Sequence, residues 1–251
     1  MLLAPKGTVI YGPVRSRRLG WSLGINALPP YLKTCTFDCL YCQYGRAAPV
    51  SPDDVATGFP SVDEIIDAVV EALADDIPRP AYLTFSGNGE PTLHPHFSQL
   101  VDAIRELRDR LIPTARVATL SNSSIVGKPQ IAEALQRLDV RIMKLDAGNS
   151  EMLQTYNRPF PELDFGEMVK GLASLADTTL QTLLTDGPQG NAPDAHIDSL
   201  IKCMQQIRPR AVQLYSLDRD SPTASLVRLD RERLESIAGR FREAGIPATA
   251  F

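Results

Sequence analysis

Short apolar runs with a two-residue period alternate along this chain with longer stretches whose apolar residues recur every three to four positions, the pattern of strands and helices in repeated βα units. The predicted strands are Trp21–Asn26, Ala81–Phe85, Ala115–Leu120, Arg141–Leu145, Leu180–Leu184 and Ala211–Tyr215, with an additional N-terminal strand at Thr8–Tyr11. Amphipathic helices are predicted at Val62–Ala74, Phe97–Leu111, Gln130–Leu138, Phe165–Leu175, Ala195–Ile207 and Arg231–Ala244. Ser61-Val-Asp-Glu64 has the form of a capping box, and Pro129 suits the first position of its helix.

Repeated βα units of this kind build either a partial barrel or a doubly wound sheet, and both place ligands at the carboxyl ends of their strands. The expected class is α/β, a partial (βα)6 TIM-like barrel of parallel strands with outer helices. The segments at those carboxyl ends are unusually polar: the cysteine-bearing loop after the first strand, Ser86-Gly-Asn-Gly-Glu-Pro-Thr92, Ser121-Asn-Ser-Ser124, Lys144-Leu-Asp146 and Ser216-Leu-Asp218. One rim would gather them. Lys144 and Asp146 alternate with Met143 and Leu145, so the charged pair shares one face of its strand and the apolar pair takes the other.

Composition narrows the class further. A chain of 251 residues, 43% hydrophobic and 22% charged, is long enough for one large domain, read as an N-terminal extension over 1–20, a barrel core over about 21–220 and a C-terminal helix and tail over 221–251. No run approaches the roughly 20 apolar residues of a membrane span, and the opening residues are too short an apolar run for a secretory signal, so a cytoplasmic protein is expected. The net charge of −4 gives no overall attraction to nucleic acid. Arg15, Arg17 and Arg18 nevertheless form a local basic knot suited to a phosphate or carboxylate of a substrate. Arg158, in Asn157-Arg-Pro159, is a second candidate for that role, although the proline equally fits a turn ending a helix.

Three of the four cysteines lie in one stretch, Cys35-Thr-Phe-Asp-Cys39-Leu-Tyr-Cys42. Three soft ligands suit an iron-sulfur cluster with one iron left open, or a zinc completed by a histidine such as His94 or His96. Structural zinc sites normally have four protein ligands, often from paired CxxC knuckles, and no second pair exists here. The fourth cysteine, Cys203, lies in a predicted amphipathic helix and reads as a buried apolar thiol. Trp21 reads as core.

The CxxxCxxC array with Tyr41 before its last cysteine resembles the signature loop of the radical S-adenosylmethionine (SAM) superfamily. Gly12-Pro-Val-Arg-Ser-Arg-Arg-Leu-Gly20, Leu23-Gly-Ile-Asn26, the Gly-rich turn, Lys144-Leu-Asp-Ala147 and Asn157-Arg-Pro159 extend the likeness to a subgroup of small iron-sulfur oxidoreductases, similar to the radical SAM domain of the tRNA wybutosine-synthesis enzyme. The resemblance implies a [4Fe–4S] cluster on Cys35, Cys39 and Cys42, and SAM chelated at its open iron. Reductive cleavage then gives a 5′-deoxyadenosyl radical that abstracts hydrogen from a substrate.

It implies further that Tyr41 lies near the adenine. Gly87, Asn88, Gly89 and Glu90 stand where the superfamily has a Gly-Gly-Glu motif for the methionine ammonium, and the inserted Asn88 leaves open whether backbone or Glu90 makes that contact. Ser121, Asn122 and Ser123 are candidates for the ribose or carboxylate of SAM, or for simple helix capping. Lys144 and Asp146 are candidates for carboxylate and ribose, or for an internal ion pair. An external one-electron donor such as flavodoxin or ferredoxin is implied. The chain lacks the additional upstream cysteines that hold a second cluster in the wybutosine enzyme, which argues against the same tRNA reaction and favours a small-molecule or modest-sized substrate. A tRNA-modifying enzyme and a non-catalytic Cys3His zinc scaffold are the alternatives.

Overall fold

The computed structural model describes residues 2–16, 18–55, 57–219 and 221–251. Its centre is one eight-stranded sheet built from β1 (Ile10–Ser16), β2 (Gly20–Ile25), β3 (Tyr82–Phe85), β4 (Arg116–Ser121), β5 (Val140–Lys144), β6 (Thr179–Leu183), β8 (Ala211–Tyr215) and β10 (Ala248–Ala250), in that order. From β2 to β10 every pairing is parallel, and β1 alone runs antiparallel, against β2. A doubly wound sheet reverses its strand order at a switch point; here the order never reverses, so the winding is that of a barrel. The sheet stays open between β1 and β10, making the barrel partial.

The helices α1 (Val62–Ala74), α2 (Phe97–Leu111), α3 (Pro129–Gln136), α5 (Phe165–Ser174), α6 (Asp194–Ile207) and α7 (Arg231–Glu243) follow successive strands. The predicted start signals operate: Glu64 N–H donates to Ser61 Oγ (3.2 Å), Ser61 N–H donates back to the Glu64 carboxylate (2.6 Å), and Pro129 opens α3. A single turn, α4 (Ser150–Met152), runs on into one π turn, Leu153–Asn157.

Strand alternation decides what each face does. Leu23, Ile25, Leu83, Phe85, Val117, Met143, Leu145, Leu180, Val212 and Leu214 join the core under the helices. Their neighbours Ser22 and Thr84 bond to each other across the other face (2.8 Å), as do Gln181 and Gln213 (2.9 Å), so the concave side is polar. Lys144 lies on that side.

Several expectations are revised. The N-terminal strand begins later and runs longer than Thr8–Tyr11, and the segment read as a tail contributes β10, a seventh parallel strand beside β8. Trp21 is not core: it is 41% exposed near the start of β2, opposite Arg15 of β1. A small antiparallel pair, β7 (Thr185–Asp186) with β9 (Val227–Arg228), links the end of β6 to the segment before α7. Cys203 is buried, as expected. Among the described residues no helix is long and apolar enough to cross a membrane.

Candidate active site

The loop after β2 carries the three cysteines and is held from both flanks. On one side Thr34 pairs with the Gly-rich turn after β3: Thr34 N–H donates to Asn88 O (2.9 Å) and Glu90 N–H donates to Thr34 O (3.0 Å). Only glycine permits this approach at residue 89, where φ is +155° and a Cβ would sit 1.8 Å from Thr34 O. On the other side the segment after the π turn acts as a splint. Leu40 N–H donates to Tyr156 O, Asp38 N–H to Asn157 O and Arg158 O, and Phe160 N–H to Thr36 O, all between 2.9 and 3.1 Å.

Asp38, inside the loop, closes it further. Its carboxylate accepts from Ala47 N–H (3.0 Å) and pairs with Arg46 (2.5 Å) and Lys33 (3.4 Å). Burial alone would raise the Asp38 carboxyl, but the Arg46 hydrogen bond and the other donors hold it below the usual range.

The loop forms one wall of a cavity of about 470 Å³, a volume within the roughly 300–1,000 Å³ range of small-molecule sites. Cys35, Cys39 and Cys42 line it together with Tyr41, Gly87, Gly89, Glu90, Ser121, Asn122 and Lys144, and Arg18, Gln43, Tyr44, Gln181, Tyr215, Asp218 and Arg219 complete its wall. The rim expected from the strand ends is therefore a single site, and most candidates meet there.

The remaining candidates stand elsewhere. Asn88 is fully buried behind the wall, its Nδ2 donating to Lys6 O (2.9 Å) and Pro29 O (3.1 Å). Ser123 is likewise buried and donates to Lys144 O (2.8 Å). Asp146 lies just behind Lys144, with which it forms an ion pair (3.1 Å), and it also accepts from Leu183 N–H (2.8 Å), Asn157 Nδ2 (2.9 Å) and the Tyr41 hydroxyl. Arg15 is exposed on β1 and Arg158 sits in a left-handed turn, φ +48°; neither lines the cavity. Arg17 lies outside the described residues. Of the basic knot, Arg18 reaches the cavity, with its guanidinium 4.5 Å from the centre of the Tyr215 ring.

Electrostatics divide the site. Burial first, then Asp146, pushes the Cys39 thiol up to about 12, and burial with Cys39 and Glu90 nearby raises Cys35 as well. Thiolates there need a compensating metal charge. Glu90, only 1% exposed, is raised by burial against the donors Thr92 and Asn122, and among the described residues it has no cationic partner. For Lys144, burial opposes the charge, but Asp146 and then Tyr215 outweigh it and raise the ammonium above its ordinary value.

The donor set separates the two readings of the cysteine loop. Both ring nitrogens of His94 are occupied, by Pro60 O (2.9 Å) and His96 N–H (3.0 Å), and those of His196 by Asn191 O and Gly148 N–H. His96 is exposed and does not line the cavity. Among the described residues no three His, Cys, Asp or Glu side chains converge on a point that one ion would fill. Three sulfurs bordering a shared cavity fit a polynuclear cluster, whose ligands bind separate irons, better than a single tetrahedral zinc.

Tyr215, Gln181, Gln43, Tyr44 and Arg219 are lining residues absent from the sequence candidates. Tyr215 had an available signal, since it ends β8 just before the polar Ser216-Leu-Asp218 segment. Gln181 shows as a polar residue amid Leu180 and Leu183, on the face opposite the core.

Comparison with known proteins agrees with the loop. A curated protein of Brachyspira hyodysenteriae named GTPase Obg is 34% identical over 243 residues, covering 94% of this chain and 33% of that protein. A UPF0026 protein of Helicobacter pylori is 28% identical over 218 residues, covering 85% of this chain and 67% of that one. The chain thus spans a third of the first relative's length and about two thirds of the second's, and it contains no Gly-x4-Gly-Lys-Ser/Thr phosphate loop.

Among solved structures, a radical SAM methyltransferase from Sphaerobacter thermophilus shares the fold with a TM-score of 0.66 at 19% identity, over 93% of this chain and 68% of that one. TYW1 with a lysine-pyruvate adduct bound gives 0.62 at 14%, over 88% of this chain and 73% of that one. The sequence model of the Radical SAM superfamily matches residues 30–191. Because that match takes in well over half of the chain, cysteine loop included, the chain belongs to the radical SAM superfamily of enzymes.

Proposed function

We propose that this enzyme holds a [4Fe–4S] cluster on Cys35, Cys39 and Cys42, binds SAM across the same cavity, and takes a hydrogen atom from a small or modest-sized substrate bearing an anionic group. Radical SAM enzymes use this pair of cofactors. When bound, they supply one electron to the sulfonium and, from C–S cleavage, a 5′-deoxyadenosyl radical for hydrogen abstraction. A reducing cytoplasm with a flavodoxin- or ferredoxin-type donor suits that chemistry.

The chain's own residues have separate tasks. Gly87 and Gly89 let backbone approach a ligand beside the thiols, and the buried Glu90 carboxylate suits an ammonium group. Tyr41 and Leu183 give an apolar surface for a base, while Lys144, kept charged by Asp146, suits a carboxylate or hydroxyl. Arg18 and Arg219, on the wall of the same cavity, favour an anionic substrate.

The single observation that carries this reading is the meeting of all three cysteines with the Gly-rich turn on one cavity. The test is anaerobic reconstitution with iron and sulfide, reduction, and measurement of 5′-deoxyadenosine released from SAM by the native chain and by Cys39→Ala. Release by the native chain alone supports the reading. A colourless protein with bound zinc and no release overturns it.

A further inference from the structure

Two asparagine side chains address the cysteine sulfurs directly. Asn122 Nδ2 lies 3.5 Å from Cys35 Sγ and 2.7 Å from Thr36 Oγ1, and Asn157 Nδ2 lies 3.3 Å from Cys39 Sγ. Neither amide is free to turn. Asn122 Oδ1 accepts from Ser124 N–H (2.9 Å), which directs its NH2 to the sulfur. Asn157 Nδ2 also donates to Asp146 Oδ2 (2.9 Å), and flipping it would set a carbonyl oxygen against that carboxylate.

Its Oδ1 is buried and has no protein partner, so the orientation of the amide follows the donations of its Nδ2. The backbone is shaped for the contact as well. A π turn ends at Asn157, Arg158 adopts φ +48°, and both carbonyls accept from Asp38 N–H, inside the cysteine loop. π turns of this kind commonly mark functional positions.

We propose that Asn157 and Asn122 are positioning residues that tune the reduction potential of the cluster by donating side-chain N–H bonds to Cys39 and Cys35. The inference rests on the cluster reading above. Reduction adds negative charge that spreads onto the cysteine sulfurs, so an N–H dipole aimed at a sulfur stabilises the reduced form and raises the potential. Asp146 orients Asn157, and Lys144, on the cavity surface, is paired with Asp146. The sulfur of Cys39 is therefore two side chains away from the ligand-facing ammonium.

The test is an EPR-monitored redox titration of reconstituted native protein, Asn157→Ala and Asn122→Ala, with iron and sulfide counted per chain. Each substitution is expected to lower the midpoint enough to change the reduced-to-oxidised ratio about tenfold at fixed poise, ~59 mV for one electron, with the cluster still loaded. A purely structural role would reduce loading and leave the midpoint of the loaded fraction unmoved, which overturns the proposal.

Should either variant fail to load, pulsed EPR on the reduced native protein, labelled with side-chain 15N-asparagine, decides the matter. Nitrogen coupling to the cluster supports it and absence of coupling overturns it. A native chain that assembles no cluster would overturn the proposed function as well, a result distinct from a loaded cluster with an indifferent potential.

Discussion

Two parts of the cavity wall are built differently. Around the cysteines nearly every group is committed: Thr34, Thr36, Asp38 and Leu40 are bonded to two separate segments, and the Glu90 and Asp146 carboxylates accept several donors each. In the other part Arg18 is held by its N–H on Ser16 Oγ (3.2 Å) and by the face of Tyr215, while Asp218 and Arg219 are exposed. Preorganisation is needed where a reactive species must be positioned within a fraction of an ångström. Under the proposed function the part of the wall that carries Arg18 and Arg219 has no such requirement and would meet the substrate instead.

The sharpest way to break this contrast is Gly89→Ala. With a Cβ placed 1.8 Å from Thr34 O and a backbone that only glycine adopts readily, the cysteine loop must separate from the Gly-rich turn. The expected cost is at least ~3 kcal/mol in denaturant unfolding, with loss of iron incorporation. A variant that keeps both native stability and iron would show that the flanking strand-like pairing does not organise the loop.

Next comes Asp146→Asn, which leaves Lys144 without its counter-charge and weakens the acceptor for Asn157 and Tyr41. A destabilisation of about 3 kcal/mol at neutral pH is expected. Because Asp146 and Tyr215 raise the Lys144 ammonium above its ordinary value, the pair's contribution is complete below about pH 10 and is lost only as pH rises through the raised value. The gap between native and variant unfolding free energies should then stay level from neutral pH to about 10 and close above it. A gap that closes earlier would refute the pairing as its cause.

Glu90→Gln separates stability from function. The buried carboxylate is raised by desolvation, so its charge opposes folding at neutral pH, and the amide should change stability by no more than about 1 kcal/mol in either direction. SAM affinity measured calorimetrically should fall about tenfold, equivalent to ~1.4 kcal/mol. Native affinity should also decline as pH falls through the raised pKa of Glu90, while that of the variant stays flat. Equal pH profiles would remove Glu90 from the ligand site.

Much of the committed wall was legible in the sequence, because its signals are local. The cysteine spacing, the Gly-rich turn and the alternation of Met143, Lys144 and Leu145 each state a geometry within a few residues. What escaped depends on distant partners. Asn157 precedes an Arg-Pro that reads as a helix stop, and its contact with Cys39 spans 118 residues. Trp21 has the pattern of a core residue, but no local pattern says that its side chain is left exposed at the start of β2. β10 is Ala-Thr-Ala, too short and too weak in β preference to announce itself, and it forms because β8 offers an unpaired edge. Tyr215, Gln43 and Arg219 line the same cavity but belong to none of these local motifs.

The smallest effects are expected away from the committed wall, and they sharpen the comparison most cleanly. Gly20, like Gly89, has a positive φ, +71°, but a Cβ there meets nothing within 4 Å, so Gly20→Ala should cost only about 1 kcal/mol and leave iron content unchanged. Arg18→Ala removes a cation whose side chain rests on one aromatic face, for which stability should move by no more than about 1 kcal/mol. Cluster loading and 5′-deoxyadenosine release without substrate should match the native chain, and an anionic substrate, once found, should lose turnover by raised KM rather than lowered kcat. Loss of the cluster in either variant would mean that the committed wall depends on residues outside it.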